Sequence, residues 1–497
     1  MTGQSPNRNT YGNIFKALTL FGGVKVIQIL ISILRSKFIA LLLGPAGMGI
    51  NNILVSTTNM VNGFTGSGLQ TSAVREVSKA HTANDQQKID TVISTLQVLV
   101  WFTGFLGAFV VFILSKSLSY FAFDSTEYTN AFRILSIMML FMQLNVGQIA
   151  LMQGTFHYKD IVKSTLTAQI FSLILTLPLY YILGNDGIAP ALIIASLITV
   201  FVTTFYSRRV RFNRKKLTVK EFICNSKGMI SLGLVIALGG VISNSSSYFL
   251  NIIIARLGSI EAVGLYSAAI TIANSYVFLV LSAMTTDYVP RLSALLGDTT
   301  GQIDAINKQM VLVSIVLTPL LVAFIIFAKE VIYLLYSSDF YATIHMLEFL
   351  MVGMYFRAIS WCLSYAFISR GDSKIFLINE IVIFIISLSL KTMGFMWKEY
   401  TGIGIAIIVV YIIYTLIMYF VAKKKFSFFF SKELKTIAIF SIIFCLLALG
   451  SSVILGASII KYIIGVTILL IACVYTINEL EKRINIIAKI KGRLIKR

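Results

Sequence analysis

Six cationic side chains stand inside apolar stretches of this sequence: Lys25, Arg35, Lys37, Arg133, Arg256 and Arg357. Only two carboxylates, Glu348 and Glu380, lie well inside such stretches. A guanidinium stays ionised and presents a planar fork of donors that fits phosphate or carboxylate, so these residues together suit an anion. Amides and hydroxyls run beside the cations. Lys25, Gln28, Ser32 and Arg35 step by 3, 4 and 3 residues, which puts them on one helical face. The next stretch repeats the pattern with Asn52, Ser56, Asn59, Gly63 and Gly66. The run 243–251 (SNSSSYFLN) brings Asn244 and Asn251 and ends one turn before Arg256, and Thr271, Asn274, Ser282 and Thr285 share a side further on. Such stripes can hydrogen-bond a hydroxyl-rich ligand.

Each group also has a plainer use. Lys37 lies near the end of its stretch and can snorkel to lipid phosphate. Arg256 borders a turn, where it can cap structure or meet a ligand. Arg133 stands one turn inside its stretch, in reach of Asp124, of Glu127 or of a ligand. Lys25, Arg35 and Arg357 lie deeper, where a charge costs at least about 2.5 kcal/mol and must face protein or water. Glu348 and Glu380 are either partners of internal cations or sites that take up and release protons as their solvation changes. His345, three residues before Glu348, shares its helical face and belongs with the second possibility. The four cysteines, at 224, 362, 445 and 473, have no metal-binding spacing.

The elements that hold these groups follow from composition. The chain has 497 residues, 57% hydrophobic and 13% charged, with a mean hydropathy of +0.85. Soluble domains carry about 25% charged residues, so no large one is hidden here. Roughly fourteen apolar stretches recur, each near the roughly 20 residues that cross a bilayer, and in hydrocarbon each must be helical. We place them near 17–43, 45–72, 91–114, 129–151, 163–183, 188–207, 228–256, 261–286, 309–327, 341–366, 375–394, 402–422, 436–456 and 461–478. The fold class is therefore an all-α polytopic membrane protein. The polar segment 1–13 lacks the form of a signal peptide, so the first span is expected to be retained.

The net charge of +21 follows the topology. Thirty-one of the 42 Lys and Arg fall in alternate loops on the side of the N-terminus, and five (Lys116, Lys329, Lys391, Lys398, Lys461) fall on the other. The positive-inside rule then puts both termini in the cytoplasm. The run 208–216 (RRVRFNRKK) has one aromatic residue, Phe212, and reads as a membrane-surface segment and not as a nucleic-acid site. In the tail 479–497, Leu480, Ile484, Ile487, Ile490 and Leu494 share one face among cations, which suits the anionic inner leaflet.

The chain also resembles itself at an offset of about 215 residues. The pairs are Leu43-Gly44 with Leu257-Gly258, Gly49 with Gly264, Arg75 with Arg291, and Gly187-Ile188 with Gly402-Ile403. An even number of spans per copy makes the repeat parallel, about an axis normal to the membrane. The expected domains are a six-helix lobe at 1–207, a basic linker at 208–227, a second six-helix lobe at 228–422, and two further helices at 423–478 before the tail. The first two spans of each copy would wall a shared cavity. The Gly63-Phe-Thr-Gly66-Ser-Gly68 run follows no strand and reads as close helix packing or a hinge, not a phosphate loop.

The segment 38–79 (FIALLLGPAGMGINNILVSTTNMVNGFTGSGLQTSAVREVSK) resembles the opening of Wzx-type polysaccharide flippases of the MOP exporter superfamily. The resemblance implies a non-enzymatic transporter in a bacterial inner membrane. It would move an undecaprenyl-pyrophosphate-linked oligosaccharide, such as an O-antigen unit, from the cytoplasmic to the periplasmic leaflet. It implies alternating access coupled to a proton or sodium gradient, with no bound cofactor, and polysaccharide polymerase machinery as a further partner. Lys25, Arg35, Arg256 and Arg357 would then cradle the pyrophosphate and acidic sugars. The alternatives are a drug/cation antiporter of the same superfamily, which would want an acidic interior, and a membrane-embedded polymerase or ligase, which would want a larger external loop.

Overall fold

A computed structural model describes residues 8–66, 68–83, 85–210, 212–456 and 458–484. Side-chain surroundings are described from Ile27 onward, except at positions 373 and 484 and at several positions in 232–244 and 283–290. Every regular element in that range is helical. Fifteen α-helices follow in order: α1 (Arg8–Thr65), α2 (Leu69–Thr82), α3 (Gln86–Ile113), α4 (Ser115–Phe123), α5 (Thr129–Gly154), α6 (Tyr158–Leu183), α7 (Ile188–Ser207), α8 (Val219–Leu257), α9 (Ile260–Ala294), α10 (Thr299–Ile326), α11 (Ala328–Leu335), α12 (Ile344–Arg370), α13 (Ser373–Phe426), α14 (Lys432–Leu455) and α15 (Ile459–Ile484). Among the described residues, ten helical stretches are long and apolar enough to cross a membrane. A 28-residue helix such as α3 is about 42 Å long, ample for a hydrocarbon core of about 30 Å.

Three of the ten stretches bend back through local breaks. In α1 the break is Gly44, at φ 65° and ψ −170°, a conformation that costs glycine little, and Pro45 then opens the next helix. In α13 it falls at Lys398 and Glu399, the latter at φ 44°. Between α6 and α7 a 3-10 turn, Gly184–Gly187, makes the same reversal. Several helices also begin on side-chain caps. Asp85 accepts from the Lys88 amide at 3.1 Å, Asp298 from Gly301 at 2.9 Å, and Ser431 from Leu434 at 3.1 Å. Thr218 and Glu221 form a reciprocal capping box at the start of α8.

The chain divides into two compact units, Met1–Ser267 and Ala268–Arg497. In the first, α5 packs on α3 and α7, α7 packs on α6, and α1 packs on α8. One apolar cluster there joins Val77, Ile93, Leu96, Leu151, Val210 and Met229. In the second, α12 packs on α13 and α10, and α10 also supports α14 and α15. Its centre includes Leu317, Leu321, Leu350, Met351, Leu363 and Phe367, all essentially sealed. The order long helix, short helix, long helix in α3–α4–α5 recurs as α10–α11–α12.

The glycine run of the first unit is a close-packing site. A Cβ on Gly68 would lie 1.7 Å from the Gly233 carbonyl oxygen, and one on Gly66 would lie 1.9 Å from Gln143 Nε2. Gln143, wholly buried, donates to Asn62 Oδ1 at 2.5 Å, so the missing side chain at Gly66 admits a buried polar pair.

Candidate functional site

In the first unit, Gln28, Ser32 and Arg35 lie on the first arm of α1, with Arg35 half-buried and Ser32 exposed. Arg35 makes no hydrogen bond or ion pair among the described residues. Asn52 and Asn59 are half-buried on the second arm. Asn251, buried on α8, donates its Nδ2 hydrogen to Ser56 Oγ at 3.3 Å, which ties the two polar stripes together. The side chains of Lys25 and Asn244 lie outside the described residues.

Arg256 and Arg133 are exposed and have local partners. Arg256 Nη2 donates to the Phe121 carbonyl at 3.0 Å, with its guanidinium 5.2 Å from the Phe121 ring centre. Arg133 Nη1 donates to Asn130 Oδ1 at 3.2 Å, one turn back on α5, in place of the carboxylates near it in sequence. Arg256 thus fastens α8 to α4.

The second unit assembles a denser polar group on α9, α12 and α13. Arg357 Nη1 donates to Asn274 Oδ1 in a short hydrogen bond, and its guanidinium lies 5.6 Å from the Tyr411 ring centre. Glu380 accepts from the Tyr414 hydroxyl at 3.0 Å, and that hydroxyl lies 3.1 Å from Ser364 Oγ. Arg357 is within electrostatic reach of both Glu380 and Lys391. Glu380 and Lys391 stand eleven residues apart on α13, about 16 Å along the helix at 1.5 Å per residue, and Arg357 interacts with each.

Glu348 forms a separate group on α12, α14 and α15. Its carboxylate accepts from Ser452 Oγ in a short bond, lies 3.6 Å from Lys461 Nζ, and lies 2.9 Å from His345 Nδ1. Glu348 is 0% exposed and Lys461 only 4%, whereas the His345 side chain is half open. The two carboxylates thus have different surroundings, Glu348 fixed by a buried lysine and Glu380 held by tyrosine beside an arginine.

Lys391 and Lys461 are cations beside these carboxylates that charge counting along the sequence assigns to loops. Both occur beside long apolar segments, IIKYII around Lys461 and SLSLKTMGF around Lys391, and that flanking pattern is the signal for an interior position.

The model of the polysaccharide biosynthesis protein family matches residues 38–345, more than half of the chain. The chain belongs to that family. A second family model, lipid II flippase MurJ, matches residues 229–475. The lipid III flippase of Escherichia coli K12 is 20% identical over 365 residues, which cover 72% of this chain and 85% of the relative. Among solved structures, lipid II flippase MurJ in an inward closed conformation superposes with a TM-score of 0.69 at 14% identity, covering 94% of this chain and 99% of the other. An inward-facing MATE family multidrug resistance transporter of the MOP superfamily gives 0.66 at 16% identity, covering 82% and 96%. The fold of this polysaccharide biosynthesis family member is accordingly that of MurJ and MATE transporters, an all-helical multi-pass membrane protein.

Proposed function

We propose that this chain flips a lipid-linked oligosaccharide with an anionic headgroup across the bacterial inner membrane by alternating access. The observation that carries the reading is the match of residues 38–345 to the polysaccharide biosynthesis family, with the lipid III flippase aligned over 72% of the chain. The cationic interior around Arg357 agrees in sign with a pyrophosphate-linked substrate. A MATE-like fold leaves substrate charge open, so a cation antiporter gains no support from the superposition.

In this reading the breaks at Gly44, Gly184–Gly187 and Lys398–Glu399 turn the ten long stretches into fourteen crossings once α8 is included. Repeat lobes at 1–207 and 228–422 are supported by the recurring α3–α4–α5 and α10–α11–α12 pattern and by the matched caps Asp85 and Asp298. Both termini face the cytoplasm, in keeping with the basic loops. Lys25, Arg35 and Arg357 contact the substrate's phosphates, while amides such as Asn59 and Asn274 meet sugar hydroxyls. Arg133 and Arg256 serve mainly to hold the ends of α5 and α8. Glu380 is the better placed of the two carboxylates for ion coupling, since Glu348 already has a buried lysine.

The test is surface glycan in cells lacking the chain, paired with an assay of which leaflet holds the undecaprenyl-linked unit. Loss of display with intact intermediate on the cytoplasmic side is expected. Normal display, or intermediate that reaches the periplasm unpolymerised, would overturn the reading.

A further inference from the structure

The linker between the two expected lobes is docked in its first part, at positions 209, 210, 212, 213 and 215. Val210 is 7% exposed in the apolar cluster of the first unit, and Phe212 packs against that cluster. The Asn213 amide donates to Asp90 Oδ1 at 3.0 Å, and the Lys215 amide donates to Ser94 Oγ at 3.0 Å. Just before these, Arg209 pairs with Asp160 at 2.5 Å. Two main-chain bonds to α3, the buried Val210 and the half-buried Phe212 fix the backbone of a strap whose next side chains are cations.

Beneath the strap is a cavity of about 760 Å³ between α3, α5 and α7. The exposed Arg214, Lys215 and Lys216 are part of its lining. Its body is largely apolar, with Val98, Trp101, Leu144 and Val200 among its walls and Gln97, Gln148 and Thr204 as polar points. Val98 and Trp101 are each 46% exposed on a helix that crosses the membrane, so the cavity opens towards lipid. From Ile93 to Trp101 the lining on α3 climbs eight residues, about 12 Å at 1.5 Å per residue. That height holds a headgroup and the upper part of a chain. Asp90, the carboxylate nearest the strap's attachment, is already occupied by the Asn213 amide and by Gln86 Nε2 at 2.8 Å.

We propose that this groove is a binding site for an anionic phospholipid of the leaflet on the linker side, its phosphate at Arg214, Lys215 and Lys216 and one acyl chain along Val98, Trp101 and Val200. Three cations around an apolar slot match a ligand with one anionic end and one hydrocarbon end, and the bilayer supplies that ligand at high local concentration. A zwitterionic lipid would bring an ammonium to the same three cations. The strap's fixed backbone spares much of the ordering cost that a flexible basic loop would meet on binding. A seated lipid would join the linker to α3, α5 and α7. The site shares no residue with the Arg357 group and does not depend on what the chain transports.

The full chain, purified in detergent, is examined by native mass spectrometry with phosphatidylglycerol, phosphatidylethanolamine, undecaprenyl phosphate and inorganic phosphate as separate probes. Retention of one phosphatidylglycerol is expected. R214Q/K215Q/K216Q should weaken that retention at least tenfold, while K423Q/K424Q, two exposed lysines elsewhere, should leave it unchanged. Thr204→Trp keeps the cations and fills the slot, and it should weaken retention as well. Equal retention by the triple variant, or equal retention of phosphatidylethanolamine, overturns the proposal. So does inorganic phosphate that competes as well as the whole lipid. Preferred retention of undecaprenyl phosphate overturns it too, by making the groove a station for a polyprenyl lipid. The glycan-display assay reads transport alone, so the two proposals fail separately.

Discussion

Lys461 Nζ lies 3.6 Å from the Glu348 carboxylate, and the two side chains are almost wholly buried where α15 meets α12. A buried pair of this kind has a small net effect on stability, but removing one partner strands the other charge at a cost of about 3–5 kcal/mol. Lys461→Ala should therefore lower the thermal unfolding temperature markedly in detergent, whereas E348L/K461L should recover most of the loss. A K461A protein as stable as the parent would mean that Ser452 and His345 alone satisfy the carboxylate.

Gly49 and Gly264, matched in the internal repeat, are packed against each other's segments. A Cβ on Gly49 would sit 1.9 Å from the Ile260 carbonyl oxygen, and one on Gly264 would sit 1.8 Å from that of Pro45. Backbone carbonyls cannot rotate away as a flexible side chain can. Gly49→Ala and Gly264→Ala should each destabilise by about 1–3 kcal/mol, the usual cost of overpacking. Gly228→Ala, with nothing within 4 Å of its Cβ position, is the control and should be neutral or slightly stabilising. Unfolding curves for the three variants decide it; equal stability of all three would remove the close-packing argument.

These glycines show how much of the architecture was legible. The turn at Gly44-Pro45 and the reversal near Gly402 stand out because polar or helix-breaking residues interrupt runs that would otherwise be too long for one crossing. The small residues at 49 and 264 were visible as a repeat, but their mutual contact was not, since sequence periodicity carries no information about which helices meet. The contacts among the candidate residues were only partly legible. Arg357 and Asn274, which bond directly, were both marked by their position inside apolar stretches. Lys391 and Lys461 escaped because a topology count assigns any cation near the end of an apolar run to a loop. The docked strap escaped for a related reason, since Val210 and Phe212 are two apolar residues among many charges.

The exposed Asp298 at the start of α10 gives a pH prediction with a definite sign. Its carboxylate accepts from the Gly301 amide and the Thr300 hydroxyl, and these bonds hold its pKa below the ordinary carboxylate value. A folded pKa lowered in this way adds stability that is fully present above the unfolded value and is lost as the pH falls through the folded one. The first turn of α10 should thus lose amide protection, measured against the intrinsic exchange rate at each pH, once the pH drops below about 4, where carboxylates protonate. In Asp298→Ala that turn should exchange faster at neutral pH and show no further acid step. An acid step of the same size in the variant would assign the effect to another group.

Arg357 supports the sharpest functional prediction. It is half-buried, held at one nitrogen by Asn274 and flanked by the Tyr411 ring, which leaves the rest of its fork of donors for a ligand. Hydrogen bonds to a charged group are worth about 1.5–3 kcal/mol, so losing them should cost roughly 10- to 100-fold in transport. Arg357→Ala should reduce surface glycan to that degree with membrane insertion unchanged. Arg357→Lys keeps the charge without the planar fork and should recover only part of the activity. Asn274→Ala leaves the guanidinium intact but unheld, and should give a smaller defect than Arg357→Ala. The measurement is surface glycan per unit of inserted protein in cells carrying each variant as the sole copy. Full display by Arg357→Ala would exclude this guanidinium from the transport path, and the search for the anion contact would move to Arg35.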